Sequence, residues 1–222
     1  NDMYREAFIG DANAQIQVGE ILMGYKNIKY GPVEVLNNSI DYVVLETLPE
    51  KKSIIRSSYG RVECNSQRIV IKSLFDEAAT PVAIQVISKN NSPLLWRQIA
   101  DINYQYKDNV NMLFDKKRFK EAIALKREWE DFLLSTVSMV EYKEGKRVVV
   151  EKGIDFGYAH TVHKSQGGTY NKTMIFERSI DRTQFEETTK QQLRYVAMSR
   201  ARNNVWVVTS NNIGEEIKPV SE

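Results

Sequence analysis

The chain has 222 residues, of which 42% are hydrophobic, so it can form an ordinary core in one large domain or two small ones. We therefore expect a soluble globular protein. Lysine and arginine number 31 against 29 aspartates and glutamates, a formal charge of +2, which excludes a generally basic surface and leaves any nucleic-acid contact to a local patch.

Cysteine and histidine usage excludes two further classes of protein. The single cysteine, Cys64, rules out an intramolecular disulfide, and His160 and His163 are too few for a zinc site. At positions i and i+3 of a predicted strand these histidines face opposite sides, so we expect no metal site. We see no apolar run that could span a bilayer and no signal-peptide pattern at the start, and we expect a cytoplasmic protein without a membrane partner.

The first part of the chain predicts a helix tail, one strand and then a β-rich region. Residues 4–8 look like the end of a helix, and residues 18–24 place a short apolar strand between glycines. Short β-rich runs follow, separated by turn residues such as Pro49 and Gly60. These runs are residues 41–45, 53–59, 68–74 and 80–87. Their spacing predicts a small antiparallel barrel or meander.

Two helices are predicted after Ser92, because Pro93 suits the first turn of a helix. They cover residues 94–106 and about residues 116–134, and a strand at residues 146–150 is expected to close the region. The second helix is expected to pack through one apolar stripe made of Phe119, Ile123, Trp129 and Leu133. Core packing is also the preferred role for at least two of the three tryptophans, Trp96, Trp129 and Trp206.

From residue 156 onward, strands and helices alternate, which predicts an α/β domain with a parallel sheet. The predicted strands are residues 156–162, 172–176 and 205–209, and the predicted helices are residues 163–167 and 186–200. Sheets of this kind bind ligands at the carboxyl ends of their strands. A ligand site is therefore expected near residue 161.

A phosphate-binding loop of the form G-x-x-x-x-G-K-[ST] is absent from the sequence. The Gly145–Lys146 pair is followed by Arg147, and Val140 stands where the first glycine of such a loop would be. This chain therefore lacks the backbone cradle and the lysine that hold a nucleotide triphosphate.

The segment YVAMSRAR, residues 195–202, places an arginine at the end of a predicted helix. Phosphoryl transfer spreads charge over the γ-phosphate oxygens, and a guanidinium supplied from a neighbouring domain stabilises that charge. Arg200 is our candidate arginine finger, at the end of a helix that would bury Leu193, Val196 and Ala197. We expect Arg202 to lie across the helix as a structural residue. The alternative role for Arg200 is to complement the helix dipole.

The segment TVHKSQG, residues 161–167, joins side-chain donors, exposed amides and a flexible backbone in one loop. Together with YVAMSRAR, it resembles the two C-terminal signature motifs of superfamily 1 helicases, ATP-driven motors on single-stranded DNA. The resemblance implies DNA-backbone contacts for Thr161, His163 and Lys164, and nucleotide contacts for Gln166, Gly167 and Arg200. Thr169 replaces a glutamate that many members use near the ribose, which argues against a sugar contact there.

The β-rich segment ahead of TVHKSQG resembles the RecD and phage Dda branch, whose second motor domain carries an SH3-like barrel. The resemblance implies an α/β fold, a partial RecA-like parallel sheet domain interrupted by an SH3-like insertion with accompanying helices. Residues 1–24 and 154–222 would form the discontinuous RecA-like domain, and residues 25–153 the insertion. Residues 73–77, SLFDE, imitate a magnesium-binding acidic motif but are interpreted as an ordinary loop within the barrel.

The resemblance implies the C-terminal portion of an ATP-dependent DNA helicase that couples ATP hydrolysis to translocation on single-stranded DNA. ATP and Mg²⁺ would be bound mainly by a first motor domain of the same protein, N-terminal to residue 1, so we expect the chain alone to be an inactive ATPase. The expected partners are single-stranded DNA, that first domain and a protein that binds the insertion. Family likeness also suggests five-prime to three-prime movement.

A function of another class stays open. The chain could be a non-catalytic nucleic-acid or protein-binding module in which a motor-domain scaffold has lost its activity. A nuclease fragment would need clustered carboxylates around a metal, and the sequence contains no such set.

Overall fold

The computed structural model describes residues 15–166 and 168–209. The chain folds as two compact units that divide between Tyr158 and Ala159. The helix tail predicted at residues 4–8 lies outside the described residues. The strand predicted at residues 18–24 is present as β1 (Ile21–Gly24), which is paired within the first unit.

A seven-stranded mixed sheet forms the centre of the first unit. Besides β1 it contains β4 (Asp41–Thr47), β5 (Lys51–Ser57), β6 (Gly60–Ser73), β7 (Val82–Ile87), β8 (Val137–Ser138) and β11 (Ile154–Phe156). The order is β11-β1-β4-β6-β7-β8, with β5 paired to β6, and all pairs are antiparallel except β7 with β8. Two separate hairpins are formed by β2 (Ile28–Tyr30) with β3 (Val33–Leu36), and by β9 (Tyr142–Glu144) with β10 (Arg147–Val150).

Strand β6 links two hydrophobic clusters because its buried face changes along its length. Val62 and Cys64 belong to a cluster packed with the helices, whereas Ile69 and Ile71 belong to a second cluster with β1, β4 and β11. Successive side chains of a strand alternate between faces, so the even-numbered and odd-numbered pairs point in opposite directions. One 14-residue strand therefore supports both clusters.

The two predicted helices are present; the first is longer than predicted, and the second begins at Phe119 rather than at residue 116. Helix α1 (Pro93–Asp115) begins after Ser92 with proline in its first turn, and helix α2 (Phe119–Ser135) follows a short turn. Their shared core with the sheet contains Leu95, Trp96, Ile99, Ile102, Tyr106 and Phe132. Trp96 is buried and Trp129 packs against this core, as predicted.

The predicted apolar stripe of α2 is wrong at its N-terminal end. Phe119 is 55% exposed and Ile123 is 48% exposed, whereas Ala122 is fully buried. Trp129 and Phe132 instead pack into the core that α2 shares with α1, and at about 100° per residue they lie on a different side of the helix from Phe119 and Ile123. The two larger residues are left at the surface.

A hydrogen-bonded group, here called the Glu128 network, ties the β5–β6 turn to both helices. The Glu128 carboxylate accepts hydrogen bonds from the Ser58 amide at 2.7 Å, the Ser58 hydroxyl at 2.8 Å and the Tyr106 hydroxyl. Burial raises the pKa of Glu128, but these donated hydrogen bonds outweigh burial and hold its pKa below the ordinary value. Burial, together with the bond to Glu128, raises the pKa of Tyr106 to about 12.

The second unit contains a parallel pair of strands, as predicted. Strand β12 (Tyr170–Phe176) and strand β13 (Ala201–Val208) are connected through helix α3 (Glu177–Asp181) and helix α4 (Glu187–Met198). Its core contains Ile175, Ile180, Leu193 and Ala197, with Val162 and Val205 packed against it. Val196, predicted to be buried, is only half-buried.

The strand predicted at residues 156–162 and the helix predicted at residues 163–167 are wrong. Only Phe156 of that strand is extended, because β11 pairs with three residues of β1 and ends with them. The described residues 162–166 form turns: the Ser165 amide bonds to the Thr161 carbonyl at 3.1 Å, but the pattern does not continue as a helix.

The fold is therefore mixed α/β, with a mixed sheet and four helices in the part of the chain that the structure describes. The predicted fold class is confirmed at that level. The SH3-like barrel and the domain boundaries at residues 24 and 154 stay predictions. No helix in the described ranges is both long and apolar enough to cross a membrane.

Candidate functional site

The two sequence motifs meet through the backbone of the second unit. The Tyr170 amide, three residues after the first motif, donates a hydrogen bond of 2.8 Å to the Arg200 carbonyl in the second motif. Tyr170 is also paired with Ala201 in the register of β12 and β13. Because these strands are parallel, the loop that enters β12 and the end of α4 lie at the same edge of the sheet. The segment that follows the first motif and the end of the second motif thus lie side by side at the amino ends of β12 and β13, whereas the predicted ligand position was the carboxyl end of a strand at residues 156–162.

Arg200 lies just after α4 and its side chain turns back over the end of that helix. Its Nε donates to the Val196 carbonyl at 3.3 Å, and its Nη2 lies 3.2 Å from the Ser199 hydroxyl. Both partners are neutral, and Arg200 forms no ion pair with any described residue. The residue is half-buried rather than enclosed in the core. Its positive charge is therefore not neutralised by a carboxylate and can attract an anion.

The same geometry suits the structural role of Arg200. A cation that bonds to a terminal helix carbonyl also complements the negative end of the helix dipole. Arg202 is placed differently from its prediction: it lies in β13, not across the helix, and it is exposed.

The loop of the first motif presents three exposed side chains. Thr161, His163 and Gln166 are exposed, and Lys164 is half-buried. The Lys164 amide donates to the Thr161 carbonyl at 3.0 Å and lies 3.4 Å from the Thr161 hydroxyl. This turn holds the predicted DNA-contacting residues within four positions of one another. Gly167, predicted to face the nucleotide, lies outside the described residues.

His160 is held by an aromatic contact that sequence reasoning missed. Its ring stacks on Tyr170 with centroids 5.7 Å apart and planes at 28°. Burial, and then the nearby charge of Lys164, lower the pKa of His160, so the imidazole is neutral at pH 7. Within the described residues no group of three or more His, Cys, Asp or Glu side chains is placed to hold a metal.

The position of Tyr170 leaves little space for a side chain at Gly168, which follows the first motif. A Cβ on Gly168 would lie 2.7 Å from the Tyr170 hydroxyl oxygen. The stacked His160 and Tyr170 rings and the close approach at Gly168 link the start of the loop to its end. The aromatic residue at position 170 could have been noticed in the sequence, but its partner could not.

A second missed feature, here called the Arg194 cluster, fixes helix α4. The Arg194 guanidinium contacts three carboxylates: Glu177 through Nε at 3.1 Å, Asp181 through Nη2 at 2.6 Å and Glu187 through Nη1 at 2.8 Å. The hydrogen bonds that Arg194 donates to Glu187 and Asp181 raise the pKa of Arg194 further. The ion pairs with Glu177 and Asp181 join α4 to α3 at a point six residues before Arg200. They therefore position the helix that ends just before the candidate arginine finger.

Ser73 ends β6, and residues 74–77 lie in an ordinary loop, as predicted. The Asp76 Oδ1 atom accepts a hydrogen bond of 3.0 Å from the Ala78 amide, and Asp76 and Glu77 are both exposed in the loop between β6 and β7. This local bond is the usual role of an aspartate in a turn.

Comparison with known protein families gives a match over the segment that contains both motifs. Residues 156–208 match the family model of the UvrD-like helicase C-terminal domain. The matched segment includes both motifs, the Arg194 cluster and the parallel strand pair. It supports the C-terminal portion of a superfamily 1 helicase, and a helicase C-terminal domain implies a helicase-family protein. No curated protein matches the chain.

Proposed function

We propose that the chain is the C-terminal portion of an ATP-dependent DNA helicase that couples ATP hydrolysis to movement along single-stranded DNA. The observation that supports this most strongly is the meeting of the two motifs at one edge of β12 and β13, inside the segment that matches the UvrD-like helicase C-terminal domain. A motif pair on unrelated surfaces would have argued against a motor.

In this proposal Arg200 acts on a triphosphate bound mainly by a phosphate-loop domain, since this chain has no such loop. ATP with Mg²⁺ supplies the phosphoryl group, whose transfer develops negative charge on the γ-phosphate oxygens. Arg200 fits that role because its guanidinium has only neutral hydrogen-bond partners. It would exchange a helix carbonyl for phosphate oxygens, and its contribution would grow in the transition state.

The loop of residues 161–166 would contact the DNA backbone and transmit ATP binding to it. Thr161 and His163 are exposed donors, and Lys164 adds a positive charge in the same turn. Gln166 and Gly167 would face the nucleotide. Since the Tyr170 amide donates a hydrogen bond to the Arg200 carbonyl, a movement of either motif would displace the other.

We also propose the RecD- and Dda-like branch for this protein. The β-rich first unit precedes the matched segment, as the insertion does in that branch, and would act as the SH3-like element with a protein partner of its own. The RecA-like domain would then comprise residues 1–24 and 154–222, with residues 25–153 as the insertion. A cytoplasmic location follows from the same proposal.

The test is ATP hydrolysis by the purified 222-residue chain with Mg²⁺ and single-stranded DNA. We expect no phosphate release above the blank, and DNA-stimulated release when the chain is joined to its phosphate-loop domain. Sustained hydrolysis by the chain alone would contradict the assignment of triphosphate binding to another domain. A joined protein that binds DNA but never hydrolyses ATP would instead favour the non-catalytic binding module.

A further inference from the structure

The turn between α1 and α2 exposes two phenylalanines that the core does not use. Phe114 is 39% exposed and Phe119 is 55% exposed. Their ring centroids lie 6.3 Å apart, and the ring planes are inclined at 55°. The core that the two helices share is formed by other residues, among them Trp129 and Phe132. The two rings are therefore available to a partner, and folding does not account for them.

Three lysines lie next to these phenylalanines in the sequence. Lys116, Lys117 and Lys120 are exposed and form no ion pair with any described residue, whereas the neighbouring Arg118 is bound to Glu121. Phe114, Lys116, Lys117, Phe119 and Lys120 are together called the hairpin tip. Residues 114–121 contain four basic and two acidic side chains, Asp115 among the acidic ones, so this short segment still has a net charge of +2 and is a local basic patch of the kind that attracts a polyanion.

The backbone of the hairpin tip keeps a lysine where glycine is the usual residue. Helix α1 ends with the Lys117 amide bonded to the Phe114 carbonyl at 2.9 Å and the Arg118 amide bonded to the Leu113 carbonyl at 2.9 Å. This pair of bonds is a Schellman motif, and Lys117 occupies its left-handed position with φ of 59°. Glycine would adopt this conformation without the strain of a side chain.

We propose that the hairpin tip is a contact site for single-stranded nucleic acid. The three lysines would meet backbone phosphates, and Phe114 or Phe119 would stack on a base. Proteins that bind single strands without reading sequence combine basic side chains with exposed aromatic rings in this way. A duplex would offer phosphates but no free base for the rings. The site lies in the first unit, contains no residue of the two motifs and does not depend on the motor function.

The charge component is tested by fluorescence anisotropy with a labelled oligothymidylate over a range of salt concentrations. Each phosphate neutralised on a single strand contributes about 0.7 to the slope of log affinity against log salt. The variant Lys116→Ala, Lys117→Ala, Lys120→Ala should reduce the slope by about 2. A control triple with the same loss of charge, Lys51→Ala, Lys52→Ala, Lys146→Ala, removes exposed lysines elsewhere and should keep the wild-type slope.

The stacking component is tested by replacing the two rings. Phe114→Ala with Phe119→Ala should weaken oligothymidylate binding at least about five-fold, because stacking on a protein aromatic ring contributes substantially per base. The same variant should bind an abasic oligodeoxyribose phosphate as the wild type does. Phe75→Ala, at another exposed phenylalanine, is the control and should bind both probes normally. Circular dichroism checks that the helices are intact.

Several outcomes would overturn the proposal. They are an unchanged salt slope in the lysine triple, unchanged oligothymidylate affinity in the phenylalanine variant, or binding of an acidic peptide or anionic vesicles but not of oligothymidylate. Lys164→Ala in the first motif separates this site from the proposed motor. In a Lys164→Ala background, the lysine triple should still reduce the salt slope by about 2, whether or not the motor assignment is correct.

Discussion

Removing the Glu128 carboxylate is expected to destabilise the first unit by detaching the β5–β6 turn from both helices. Glu128→Ala deletes the acceptor of two bonds from Ser58 and one from Tyr106. Ser58 is exposed, so water can replace its bonds, but Tyr106 is fully buried. A buried donor left without its acceptor costs about 1–3 kcal/mol. We therefore expect a loss of about 2 kcal/mol in the free energy of unfolding.

The assay is urea unfolding followed by tryptophan fluorescence in a Trp206→Phe background, so that Trp96 and Trp129 report on the first unit alone. With a urea slope of about 1–3 kcal/mol per molar, the midpoint should fall by roughly 1 M. Glu121→Ala on the same helix removes only an exposed ion pair and should cost less than about 1 kcal/mol. A Glu128→Ala midpoint equal to that of Glu121→Ala would refute the reasoning.

The pH dependence gives a second check on the Glu128 network. The folded pKa of Glu128 lies below its ordinary value, so its ionised form stabilises the protein above that ordinary value, and the stabilisation is lost as pH falls through the folded pKa. Tyr106 behaves in the opposite sense: its stabilisation is complete below its ordinary pKa and is lost as pH rises through about 12. The difference between wild type and Glu128→Gln should therefore shrink in acid. A constant difference would contradict the assignment.

Two further substitutions test packing in each unit. A Cβ at Gly24 would lie 2.1 Å from the Asn37 carbonyl oxygen, so Gly24→Ala should lower the free energy of unfolding in urea by about 3 kcal/mol. Gly145 has open space around its Cα but a φ of 60°, so Gly145→Ala should lower it by about 1–2 kcal/mol. Equal losses in the two variants would show that the backbone at Gly24 moves away from the clash without cost. Arg194→Gln should lower the thermal unfolding midpoint of the second unit, because the ion pairs that join α4 to α3 are lost. The difference from the wild type should shrink at high salt, because these ion pairs are partly exposed. A midpoint equal to that of the wild type would show that the Arg194 cluster does not stabilise the unit.

Local sequence patterns predicted the elements whose periodicity was unbroken. Helix α4 and strands β12 and β13 were found within a few residues, and the order of strand and helix correctly implied a parallel pair. In contrast, β6 was predicted only at residues 68–74, because its buried face changes at Ser66 and Gln67 and the alternation is interrupted there. An alternation of apolar and polar residues predicts a strand with one buried face, so it does not predict a strand whose buried face changes along its length.

The remaining errors depend on partners that are distant in sequence. The segment after Phe156 alternates like a strand, yet β1 offers only three residues to pair with. Phe119 and Ile123 have helical spacing, but so does the smaller Ala122 with Trp129, and only the position of α1 decides between these faces. At the site, Arg200 and the loop residues were identifiable from motifs. Arg194 was not, because two of its three carboxylates, Glu177 and Asp181, lie on another helix, α3.

ATP turnover by an Arg200→Ala variant, in the chain joined to its phosphate-loop domain, tests the central claim most directly. An arginine finger contributes about 10³–10⁵ in kcat, so turnover should fall at least about a thousand-fold while nucleotide binding stays nearly unchanged. Arg178→Ala, at an exposed arginine on α3, should retain normal turnover. Full activity in the Arg200→Ala variant would show that Arg200 only stabilises the end of α4.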